Sequence, residues 1–192
     1  MVFIRSIALG ASIVGIIGVS SAAQVLTARQ EPWVPGTQNN TQEFYVTLKA
    51  TTASLEKYNG WTLQAWHTGA GLADPVFASD SPSPAFLNGT SLQFDVSPYP
   101  FGVDALPSDE NYGRWEPVTI TSGYGSGPWV NNEADGLQVN AEESDGWLVC
   151  EWSHGDNAPQ LFQLIKGFDS VGTSPNDVPA TCGRVLLIPE WI

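Results

Sequence analysis

From residue 43 onward the hydrophobic positions come in short runs rich in Val, Ile, Thr and aromatics, divided by Gly, Pro, Asn and Asp. That pattern predicts strands over 43–52, 60–67, 75–79, 84–96, 116–121, 128–133, 136–140, 146–153, 159–166 and 183–189. Few windows carry a helical period, and Pro or Gly interrupts those that do. Within 84–96 the segment "LNGTS" supplies an Asn-Gly turn that folds the stretch into a hairpin, and "NEADG" does the same between "PWVN" and "LQVN". Connections this short favour antiparallel pairing over helical crossovers. The fold class is therefore all-β, an antiparallel β-sandwich or barrel of roughly 8–10 short strands.

The N-terminal region has a different texture. Arg5 precedes the apolar run "SIALGASIVGIIGV", and "SSAAQ" follows with Ser21 and Ala23 placed for cleavage before Gln24. That is the layout of a secretory signal peptide over 1–23. The run is too short and Gly-broken for a membrane span, and no basic stop-transfer cluster follows it. Residues 24–42 are polar, with Pro32 and Pro35, and read as a flexible tail ahead of a single β domain over 43–192. The expected location is extracellular, with cell-wall association as one form of it.

The formal net charge is −13, and it becomes one unit more negative once Arg5 leaves with the leader. The cations beyond the tail never cluster, so nucleic acid and anionic lipid are not expected partners. Cys150 and Cys182 are the only cysteines, and in an exported chain they read as one disulfide. Asn39 ("NNT") and Asn88 ("NGT") open sequons and are candidate glycosylation sites.

Two stretches are alike, "NGWTLQAWHTG" at 59–69 and "DGWLVCEWSHG" at 145–155. Side chains five apart on a strand point to opposite faces, so neither Trp61 and Trp66 nor Trp147 and Trp152 share one core. One ring of each pair packs inward; the other lies outward or under a neighbouring loop. Packing accounts for large rings generally, while an exposed indole is also a platform for the C–H face of a sugar. The candidate ligand residues are Trp66, His67, Trp129, Trp152 and His154. His67 and His154 are the only histidines, and no HxH or HExxH spacing accompanies them, so no metal and no cofactor is expected. "NNEADGLQVNAE" puts Asn131, Glu133, Asp135, Gly136 and Glu142 in a calcium-loop register, but its flanks read as strands and a hairpin turn explains it better. "SGYGSGPWV" lacks the lysine and helix of a phosphate loop and the frame of a nucleophile elbow, and reads as a turn beside Tyr124 and Trp129.

The segments "WHTGAGLADPV", "FLNGTSLQFDV", "YGRWEPVTITSGYGSG", "GWLVCEW", "PQLFQL" and "TCGRVLLIPEWI" resemble a group of small secreted fungal proteins built on one uncharacterised domain. The resemblance implies export, a fungal source and an all-β fold, and no activity or site residues. The leading expectation is a non-enzymatic domain that binds a polysaccharide or a protein surface. The alternatives are a small glycoside hydrolase using two of Asp95, Glu116 and Glu151, and a purely structural or interaction domain.

Overall fold

The computed structural model describes residues 42–96, 99–105, 114–154, 157–166 and 178–192. The leader at 1–23, all but the last residue of the 24–42 tail and the Asn39 sequon lie outside them. The described chain is all-β, with thirteen strands rather than eight to ten. In chain order these are β1 (Phe44–Ala50), β2 (Thr62–Gly69), β3 (Leu72–Ala78), β4 (Ala85–Asn88), β5 (Ser91–Phe94), β6 (Phe101–Asp104) and β7 (Trp115–Pro117). There follow β8 (Thr119–Ser122), β9 (Trp129–Asn132), β10 (Gly136–Val139), β11 (Ser144–Glu151), β12 (Pro159–Ile165) and β13 (Cys182–Trp191). A 3-10 helix, Ala53–Tyr58, links β1 to β2 and buries Leu55 and Tyr58.

Both predicted hairpins form. In β4–β5, Asn88 lies opposite Ser91 across the Gly89–Thr90 turn, and in β9–β10, Gly136 lies opposite Asn132. Gly136 has φ +71°, and a Cβ there would run into the Leu187 carbonyl. The reason is local: at this point β10 lies parallel to β13, the one parallel pairing among the described residues. Two expectations are corrected. The predicted strand 116–121 is two strands, because Pro117 has no N–H to extend a ladder; β7 turns to β12 while β8 joins β6 and β3. The four-residue β6, beside Pro100 and carrying Gly102, has no run long enough to announce it.

Of the two architectures expected, the barrel is the one found. Hydrogen-bonded neighbours run β1-β4-β5-β6-β8-β3-β12-β11-β13 and return to β1, a closed ring of nine strands. β2 pairs with both β1 and β3, bracing the ring where β1 and β4 share only Phe44 and Ala85. Closure satisfies strand edges that would otherwise be open to pairing. β13 is not a terminal edge held by its disulfide: β1 lines it from Val185 to Trp191, and β11 pairs with it from Cys182 to Val185. Cys150 and Cys182 are bonded directly across β11 and β13.

Two apolar clusters result. The main one holds Phe44, Val46, Leu63, Phe94, Trp147 and Leu187 among others. The second gathers Trp115, Leu148, Phe162, Leu164 and Val178 around the disulfide, with Trp152 against it. β12 runs between them, sending Leu161 to the main cluster and Phe162 and Leu164 to the second, as period-two alternation requires. Each face of that strand therefore meets apolar side chains.

Candidate functional site

The candidate site is built on the β2–β3 hairpin. Trp66 on β2 lies directly opposite Asp74 on β3, so both side chains emerge on one face. Neighbours in register on the other face, Leu63 and Phe77, are buried in the main cluster. The Trp66 ring is 46 % exposed. His154 arrives from the turn after β11, and its ring centroid lies 6.0 Å from that of Trp66 at a 39° tilt. Its Nε2 is 2.8 Å from Asp74 Oδ2. A carboxylate only accepts, so Nε2 carries the proton of this contact and the imidazole is fixed in orientation. A further bond, Ala158 N–H to the His154 carbonyl at 2.8 Å, holds the turn that delivers it.

Three elements thus converge on an exposed indole flanked by an oriented imidazole and a carboxylate. The indole offers a flat apolar face. Asp74 Oδ1 and His154 Nδ1 remain to take hydroxyl groups, since neither is used by the contact that joins the pair. The chemistry available is stacking plus hydrogen bonding. Among the described residues no group of three or more His, Cys, Asp or Glu is placed to hold a metal ion.

The other candidate ligand residues lie elsewhere. His67 is exposed but sits one residue along from Trp66, opposite Ala73, and so points away from the cluster. Trp152 is half-buried, edge-on to Trp115 at 5.4 Å and to Phe162 at 5.2 Å. Trp129 is 2 % exposed and stacks on Trp147 at 5.1 Å with the planes 8° apart. Both indole N–H groups of that stack are satisfied, Trp129 by the Ser126 carbonyl and Trp147 by the Leu137 carbonyl. Trp129 is therefore a core residue: its strand β9 folds back through the Asp-Gly hairpin and turns the ring inward.

The three acids considered for glycoside hydrolysis are engaged separately. Glu151 accepts from Lys57 Nζ at 2.5 Å and Tyr58 Oη at 2.9 Å. The Lys57 ammonium, helped by the Tyr58 hydroxyl, holds its carboxyl below the ordinary carboxylate range. Glu116 is buried opposite Gln163 on β12, whereas Glu151 lies opposite Pro159. Four residues along one strand separate those registers by roughly 13 Å. Asp95 is turned to Glu43, close enough for a side-chain hydrogen bond, and burial together with that neighbour raises its carboxyl to about 6. A carboxylate pair in direct contact leaves no room for the sugar or water that a glycosidase pair must hold about 5–10 Å apart.

Residues 41–191 match the family described as a domain of unknown function, DUF7907. The chain belongs to that family. Comparison with curated proteins and with solved structures finds no match. Within this DUF7907 chain, Asp74 is the site residue that the sequence reading missed. The signal available was register: "WHTGAGLAD" is a hairpin whose turn at Ala70–Gly71 puts Asp74 opposite Trp66. The bulge between His67 and Gly69 shifts that register by a residue, which a count from the turn does not reveal.

Proposed function

We propose that this DUF7907 domain is a non-enzymatic, exported saccharide-binding module whose ligand stacks on Trp66. The observation that carries the reading is the exposed Trp66 indole with the Asp74–His154 pair at its side. An indole face matches the axial C–H face of a pyranose, and a carboxylate and an imidazole take its hydroxyls. The disulfide and the absence, among the described residues, of a helix long and apolar enough to cross a membrane are compatible with an extracellular protein. The separate engagement of Asp95, Glu116 and Glu151 favours binding over hydrolysis.

The test is a pull-down of the purified protein on insoluble chitin, β-glucan and cellulose, with released reducing sugar measured in the same tubes. Retention on one of these, no sugar release, and loss of retention in Trp66→Ala and Asp74→Ala are the expected results. Sugar release, or retention that survives Trp66→Ala, overturns the reading.

A further inference from the structure

A second feature, away from Trp66, combines a preformed cleft with a modification sequence. Asn88 ends β4 and opens the sequon Asn88-Gly89-Thr90. Its side chain helps line a cavity of about 370 Å³ bounded by Gln93, Tyr99, Pro100, Ser122, Gly123 and Tyr124. That volume falls within the range of small-ligand sites, about 300–1,000 Å³. Two tyrosines form its walls, Tyr99 at 50 % and Tyr124 at 68 % exposure. The floor is amide: Asn88 Nδ2 donates to Gln93 Oε1 at 2.9 Å, and Gln93, only 1 % exposed, donates from Nε2 to the Gly123 carbonyl at 2.7 Å.

The cleft is held rigid. Tyr99 stacks on Phe101, centroids 6.0 Å apart. The loop carrying Tyr124 folds back over β6, with Gly125 lying against Gly102 so closely that a Cβ on either residue would overlap the other's backbone. Ser126 fastens it, its N–H donating to the Val103 carbonyl at 3.1 Å and its Oγ accepting from Ala105 N–H at 2.8 Å. Trp129 N–H, donating to the Thr90 carbonyl at 2.8 Å, ties the loop to the sequon itself.

We propose that this cleft seats the first N-acetylhexosamine of a glycan carried on Asn88, so that the sugar becomes part of the folded surface. Attachment forms an Nδ2–C1 bond and breaks the C1–oxygen bond to the pyrophosphate of a lipid-linked oligosaccharide donor. The pyrophosphate leaves with the electron pair, and the amide gives up one proton. The glycosylated amide keeps one N–H, which is what the bond to Gln93 requires. With that bond retained, the amide plane is pinned and the sugar begins at the cleft wall between two phenol faces. In the fold Asn88 is half-buried and bonded, so attachment precedes folding. The disulfide fits a compartment where such transfer takes place.

The experiment uses the full chain expressed in a secreting eukaryotic host and trimmed enzymatically to a single N-acetylglucosamine. Peptide mass mapping reads occupancy of Asn88. Thermal unfolding is then compared for Tyr99→Ala and Tyr124→Ala in the glycosylated chain and in Thr90→Ala, which removes the sequon but keeps the Asn88–Gln93 bond. The expected result is an occupied Asn88 and tyrosine substitutions that lower Tm by about 2–4 °C more with the sugar than without it. An unmodified Asn88, or equal losses in the two backgrounds, overturns the proposal. Retention on polysaccharide through Trp66 is read in a separate assay, so either idea fails without the other.

Discussion

Trp66, the second ring of one of the two similar stretches, and Trp147, the first ring of the other, do opposite things. Trp147 is buried, stacked on Trp129 and hydrogen-bonded to Leu137, so Trp147→Ala is expected to cost about 3–5 kcal/mol of stability. Trp66→Ala removes a ring that is nearly half exposed and is expected to change stability by less than about 0.5 kcal/mol while removing ligand retention. Urea unfolding of the two variants checks the contrast; equal destabilisation would make Trp66 a packing residue. The sequence showed that the two rings of each pair face opposite ways, but not which ring meets solvent, because that depends on which neighbours cover the outer face. Asp95 gives a second residue-scale prediction. Burial, and after it the neighbouring Glu43 carboxyl, disfavour its charged form. The folded pKa, about 6, lies above the ordinary 3.8, so the native state holds that proton more tightly than the unfolded chain does. The stabilisation is complete below about pH 4 and is lost as pH rises through about 6. Asp95→Asn keeps the shape and removes the titration. Its plot of Tm against pH should be flatter than the wild type's across that window; parallel plots would show that Asp95 does not titrate there.

At the level of the element, local chemistry was legible and pairing was not. Asn88-Gly89 and Asp135-Gly136 announce their hairpins, because each needs a backbone conformation that glycine supplies at no steric cost. β6 and the break at Pro117 depend on which strands stand alongside, and nothing within four residues records that. The disulfide shows the same division. Two cysteines and no others suggest the bond, while its position directly across β11 and β13 follows from register alone. Since β1 lines β13 from Val185 to Trp191, removing the bond should destabilise the barrel without opening it. Cys150→Ala with Cys182→Ala is expected to lower unfolding free energy by about 3–4 kcal/mol, the chain-entropy value for a loop of this length. Urea titration should show a lower midpoint in a single cooperative transition, with a slope no shallower than before because the uncrosslinked denatured chain exposes more surface. A shallower slope or a noncooperative transition would mean that the bond, rather than the ladder with β1, holds the C-terminal strand.

Across the whole molecule, ring closure is the property least visible in a sequence, since it joins β1 near the start of the described chain to β13 at its end. The charge balance is visible at once and decides between two kinds of partner. A chain of net charge −13 attracts basic surfaces over long range and repels polyanions. Binding that rests on this attraction weakens as salt shortens the Debye length, from about 30 Å at 0.01 M to about 10 Å at 0.1 M. Stacking of a neutral sugar on Trp66, with hydrogen bonds to Asp74 and His154, involves no charge on the ligand and is short-ranged. Its affinity should hold nearly constant when calorimetric titrations with a soluble oligosaccharide are repeated from low to high salt. A steep fall in affinity with salt would identify a cationic ligand drawn by the net charge. Trp66 would then be a contact within a protein–protein interface rather than a platform for a neutral glycan.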